Sequence, residues 1–182
     1  MVSSALYRYF PSRDELLTAL IVDAYNAVGE AAETAEAAVS RTDLPGRWLA
    51  AARAVRSWAR TNPHEYALIF GSPIPGYQAP PDTIDPATRI PLLMLTIIAE
   101  AVAPPDELAL PQAVTQDLKR LREQVAPFVS EPRLARAVMA WTYLIGSISF
   151  ELFGHLVGSI EDYPAWFDAQ VTELGRGLGL SP

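Results

Sequence analysis

The chain of 182 residues contains no cysteine, so disulfides and thiolate metal sites are excluded. Histidine is scarce too. His64 and His155 stand far apart without ligand-like companions, and no metal site is expected. No Ser-x-Gly elbow, phosphate-cradling glycine loop or His-Glu-x-x-His run occurs. The expectation is therefore a chain that is not an enzyme and uses no cofactor. Basic charge is short as well: 14 Lys and Arg against 21 Asp and Glu leave a formal charge of −7. That is the wrong sign for a free-standing nucleic-acid binder, whose affinity comes largely from cations meeting phosphates. The first 20 residues are neutral, Arg8 and Arg13 offsetting Asp14 and Glu15, so the acidity belongs to the rest. No basic region precedes an apolar run at the N-terminus, as a signal peptide requires, and the expected location is cytoplasmic.

What the chain has is apolar content in helical order. Half the residues are apolar, ample for one domain of ordinary size, and the 16 prolines gather in connecting stretches. Over residues 12–40, apolar side chains fall at Leu16, Leu17, Leu20, Ile21, Ala24, Val28, Ala31 and Ala35, which predicts one long helix. It opens on a capping box, with Ser12 accepting from the N–H of Glu15 and Glu15 reaching back to the N–H of Ser12. A second helix, to about residue 61, carries Trp48, Leu49, Ala52, Val55 and Trp58 on one side, and Arg47, Arg53, Arg56 and Arg60 elsewhere. Such an arginine row reads as a solvated face paired with acidic neighbours rather than a phosphate site. Asn62-Pro63-His64-Glu65 is a capping signal for a short helix over 63–70, with Asn62 as the side-chain cap.

Residues 71–86 are too rich in proline and glycine for regular structure. Helices are predicted next over 86–103 and 112–125, separated by a proline-rich connector. From residue 137 to 157 the only full charge is Glu151, within a helix predicted over 133–158. One side carries Trp141, Ile145, Ile148, Leu152 and Leu156; the other carries Tyr143, Phe150, Phe153 and Val157. A helix apolar all round must be covered all round. A membrane span is one solution, but Glu151 would be costly in lipid. The better one is burial in the core on one side and against a second copy of the chain on the other, Gly146, Ser147, Gly154 and Gly158 allowing close approach. A last helix opens at Asp162 and Pro164. Glu100 and Glu151 read as isolated carboxylates on apolar helices.

Three stretches resemble the TetR family of transcriptional repressors. SSALYRYFPSRDELL, with Leu6, Tyr7, Tyr9, Phe10, Ser12, Arg13, Leu16 and Leu17 in place, looks like the end of that family's DNA-binding domain, from the recognition helix into the long fourth helix. RWLAAARAVRSWARTNPHEYALIFGSP is similar to one of its C-terminal classes, in which a Trp-rich helix leads into Pro-Glu-Tyr-x-x-x-Phe-Gly. AWTYLIGSISFELFGHL looks like the Trp-x-x-x-His-Gly signature of the same class, with Ile145 where the family has His. The resemblance implies an all-α, TetR-like helical bundle with a truncated N-terminal helix-turn-helix. The family has two further helices before Met1, so their coding sequence is expected upstream, or half the reader has been lost.

By position, the resemblance implies DNA contacts from Ser3 and Ser4 to base edges and from Tyr7, Arg8, Tyr9 and Arg13 mostly to phosphates. It divides the chain into a remnant of the DNA-binding domain over 1–40 and a ligand-binding and dimerisation domain over 41–182. It implies a homodimer formed by the last two helices and a small apolar effector that shifts the population away from the DNA-competent conformer. The surplus of aromatics on the central helices nominates Trp58, Tyr66, Phe70, Met94, Trp141 and Phe150 as the pocket, with Tyr143, Glu151 and His155 as its polar groups. The alternative is a dimeric domain that binds a small apolar molecule and no DNA.

Overall fold

The computed structural model describes residues 10–101 and 108–180. Five of the six expected DNA contacts, Ser3, Ser4, Tyr7, Arg8 and Tyr9, lie outside the described residues. Within them the fold is all-α, as expected: α1 (Arg13–Ala37), α2 (Leu44–Thr61), α3 (Pro63–Phe70), a single 3₁₀ turn (Pro81–Thr83), α4 (Ile84–Ala99), α5 (Gln112–Val125), α6 (Glu131–Leu152) and α7 (Tyr163–Gly177).

The helix starts follow local chemistry. Ser12 caps α1 by accepting from the N–H of Glu15 at 3.1 Å. The return half of the box differs from expectation, since the Glu15 carboxylate accepts from the Ser12 hydroxyl at 3.2 Å. Asp43 and Asp162 cap α2 and α7 by accepting from Gly46 N and Ala165 N, each at 2.9 Å. Asn62 occupies the cap position of α3 but makes no side-chain cap there. Its amide turns back and donates to Trp58 O at 2.9 Å, closing the end of α2 instead. Pro63, which has no N–H to satisfy, starts α3 without that cap.

The predicted reach of α6 to residue 158 is too long. The helix stops at Leu152, and Gly154 and Gly158 adopt φ of 77° and 79°, the left-handed conformation that glycine takes without strain and that ends helices. The helix predicted from residue 86 starts earlier, at Ile84, and carries Pro91 inside it. Proline has no N–H to bond the carbonyl four residues back, so α4 lacks a rung between Ala87 and Pro91.

One core runs through the bundle, built around Val28 of α1, Trp48 and Val55 of α2, Tyr66 of α3, Ile97 and Ile98 of α4 and Ile148 of α6. The Trp48 indole donates to Val171 O at 2.9 Å and ties α2 to α7. A smaller cluster, including Leu95, Leu118, Val129 and Leu134, lies beneath α5. α1 enters the core only from Ile21 onward, and its first turn is exposed. Among the described residues no helix is long and apolar enough to cross a membrane.

Candidate functional site

Four contacts fix α1 along its length. Near its start the Thr18 hydroxyl lies 2.9 Å from Tyr77 Oη, which belongs to the proline-rich loop before α4. Two turns further on, the Tyr25 hydroxyl donates to Ile69 O at 3.2 Å. In the middle, Arg89 of α4 donates to Asn26 O and Asn26 Oδ1, both at 3.0 Å, and to both Glu33 carboxylate oxygens at 2.9 and 2.6 Å. Gly29 makes room for it, since a Cβ there would stand 2.9 Å from Arg89 Nε. Near the far end Glu36, itself buried, accepts from Arg47 Nε at 2.5 Å and from Arg41 at 2.6 Å.

The arginines of α2 do pair with acidic neighbours, but only Arg53 and Arg60 are solvated; Arg47 and Arg56 are turned inward. Arg47 is fully buried and also donates to Glu100 at 2.9 Å. Burial opposes its charge, yet the Glu100 and Glu36 carboxylates together outweigh that and hold its pKa above the ordinary value. Arg56 grips Glu151 with two bonds of 2.6 and 2.7 Å and lies over the Phe167 ring at 5.3 Å. Arg53 grips Asp168 at 2.8 and 2.6 Å. Glu100 and Glu151 are therefore not isolated. Each is an ion-pair partner remote in sequence, Glu151 from α6 and Glu100 from the residue that caps the end of α4, which spacing along the chain does not reveal.

Three carboxyls are held below their usual range, each chiefly by hydrogen bonds from an arginine: Glu33 by Arg89, Glu100 by Arg47 and Asp168 by Arg53. A depressed folded pKa contributes stability that is complete above the unfolded value and lost as pH falls through the folded one. The urea midpoint is expected to stay level down to about pH 5 and to drop below about pH 4. All three groups are substantially exposed, so the drop is modest. A midpoint that rises on acidification would contradict the assignment.

The nine sequence-nominated pocket residues do not share one cavity. Tyr66 is buried, donates to Ile145 O at 2.9 Å and lies 2.8 Å from Ser149 Oγ. Its pKa is raised by burial, against the pull of Ser149. Phe70 lies between it and Trp141, tilted against the first and edge-on to the second, with ring centroids 5.1 and 5.9 Å away. Trp58 packs on the same core. Glu151 is committed to Arg56. Tyr143, Phe150 and His155 are exposed on the outer side of α6 and just beyond it, with Phe150 and His155 rings 5.1 Å apart. Arg13, the described member of the DNA set, is exposed at the first residue of α1.

Two of the nine, Met94 and Trp141, line an apolar cavity of about 160 Å³ between α4, α5 and α6. Sequence reasoning missed its other walls because it looked for aromatics, and they are aliphatic apart from Thr88. Their signal was the helical spacing of Leu134, Ala137 and Trp141 on one side, and of Thr88, Pro91 and Leu95 on the other.

The outer face of α6 and α7 is the second feature. Met139, Tyr143 and Phe150 recur along α6 and are each about half exposed, with Trp166 of α7 beside them. They flank grooves of about 540 and 260 Å³. A Cβ at Gly146 would meet nothing within 4 Å. A run of large apolar side chains of this kind along two neighbouring helices marks a surface made to be covered.

A family described as tetracyclin repressor-like, C-terminal domain, matches residues 48–174. HTH-type transcriptional regulators of Mycobacterium bovis and Mycobacterium tuberculosis are each 40% identical over 181 residues, 96% of this chain and 77% of theirs. A solved structure described as a regulatory protein, SCO4313, superposes with a TM-score of 0.74 at 35% identity, over 96% of this chain and 79% of that one.

Proposed function

Because the chain belongs to the TetR family of transcriptional regulators, we propose that it acts as a cytoplasmic homodimeric repressor that binds operator DNA ahead of α1 and responds to a small apolar effector. The observation that carries the dimer is the half-exposed apolar face of α6 and α7. Docked against its own copy, that face gives a four-helix arrangement, each helix pair covering the other's Met139, Tyr143 and Trp166. The segment over 1–40 and the body over 41–182 then divide the work. Thr18, Tyr25, Asn26, Glu33 and Glu36 anchor the long helix to the body, and its exposed first turn with Arg13 faces the duplex. An acidic body suits this division, because it keeps DNA at the reading end.

The test is selection from random duplexes with the full gene product, followed by light scattering of the complex. Enriched sites with twofold symmetry, bound by two chains, are the expected outcome, because dimeric readers mirror their symmetry in the operator. A monomeric mass overturns the reading. No enrichment at all favours the second reading, a dimeric binder of small apolar molecules that does not touch DNA.

A further inference from the structure

The cavity between α4, α5 and α6 is small, and its lining is chemically uniform. Met94, Leu95 and Leu134 form a buried floor. Leu121, Val125 and Val138, between 37 and 41% exposed, form a mouth between α5 and α6. No ionisable side chain lines it. The one hydroxyl in the wall, Thr88, already donates to Asp85 O at 3.0 Å.

From this geometry we infer that the cavity seats a single uncharged monocyclic hydrocarbon, of about the size of benzene or toluene. The volume of about 160 Å³ matches the cavity of roughly 150 Å³, walled by aliphatic and aromatic groups, that stays dry in another protein and takes up benzene. It is too small for a drug-sized ligand, whose pockets run from about 300 Å³ upward. A carboxylate or ammonium entering it would leave water and find no partner.

The seat also lies beside the middle tie to α1, the one made by Arg89. Thr88 and Pro91 are cavity wall, and Arg89 between them reaches Asn26 and Glu33 of α1. This segment of α4 is the one that lacks a backbone rung at Pro91. A ligand pressing on it moves Arg89, and Arg89 moves α1. That second step rests on the regulatory function proposed above; the binding itself does not.

Fluorobenzene and 4-fluorobenzoate, titrated against the chain and followed by fluorine NMR, test the seat. Fluorobenzene is expected to bind with a Kd of about 1 mM or tighter, and the charged analogue at least roughly tenfold more weakly. Ala137→Leu, which fills the cavity, is expected to weaken fluorobenzene by at least about tenfold. Val138→Phe, at the exposed mouth, serves the same purpose with less risk to folding. Equal affinity for both probes, no fluorobenzene binding, or wild-type affinity in both variants overturns the assignment.

Amide hydrogen exchange tests the link. Saturating fluorobenzene is expected to change exchange around Asn26 and Glu33 by at least about threefold. Arg89→Gln should abolish that response while leaving fluorobenzene affinity within about twofold. An α1 that ignores the ligand in the wild-type chain overturns the link while leaving the seat standing, and absence of an operator would leave both measurements unaffected.

Discussion

Replacing Glu36 with leucine is expected to lower stability by about 1.5–3 kcal/mol, because it removes one of the two carboxylates paired with a buried cation and leaves its Nε–H without an acceptor. For a chain of this length that is a fall in melting temperature of about 3–12 °C. Arg47 is 0% exposed, and Glu36 supplies the acceptor for its Nε. With Glu36 gone, the guanidinium keeps Glu100 and the Arg41 carbonyl on its other nitrogen, at 2.9 and 3.3 Å. It cannot turn to water. Arg41, being largely exposed, loses little. The decisive control is the double variant Glu36→Leu with Arg47→Met, in which charge and countercharge leave together. Apolar replacement of a whole buried pair is often neutral, so most of the lost stability should return. A double variant as unstable as the single one would show that the loss comes from packing, not from the buried N–H left without its carboxylate. Thermal melts of the three variants by circular dichroism give the answer.

Tyr143→Glu is expected to weaken self-association by roughly 100-fold or more, since it puts a charge where the proposed interface is apolar and central. The equivalent free energy is about 3 kcal/mol. Sedimentation at micromolar concentration should then find a single chain where the wild type gives two, with helical content retained. Ile84→Glu is the matched control: Ile84 is equally exposed and apolar but belongs to the first turn of α4, beside the proline-rich loop. If both variants dissociate, or neither does, α6 and α7 are not the dimer face. Where Tyr143→Glu does dissociate, operator affinity should collapse with it, because one half-site alone carries too few contacts.

The helices were legible wherever a cap and a period agreed. α3 and α5 run over the predicted residues because proline sets their starts and the apolar spacing their lengths. α6 was overrun because its apolar pattern continues past Leu152, and only the positive φ of Gly154 and Gly158, a backbone property, ends it. Its two sides were nonetheless distinct in the sequence: Ile148 is buried and Tyr143, Phe150, Phe153 and Val157 are exposed. The ion pairs were not legible. Arg56 with Glu151, or Arg47 with Glu100, joins helices separated by long stretches of chain, and periodicity describes one helix at a time. The cavity was half legible for the same reason. Met94 and Trp141 announce themselves as large apolar groups, but a void is what three helices leave between them, and no single helix encodes it.

The way α1 is anchored has a mechanical consequence. Its lowest tie is at Glu36, and from there to Ser12 it rises about 36 Å, with Arg89 gripping it at Asn26 and Glu33 and single hydroxyls holding it above, at Thr18 and Tyr25. Tilted by about 5° on that lower pivot, the rod carries its tip sideways by about 3 Å. In a symmetric pair the two tips travel in opposite directions, so the gap between them alters by about 6 Å. Grooves on one face of a duplex recur every 34–36 Å or so, so in the proposed dimer a mismatch of that size is enough to lift one tip out of register.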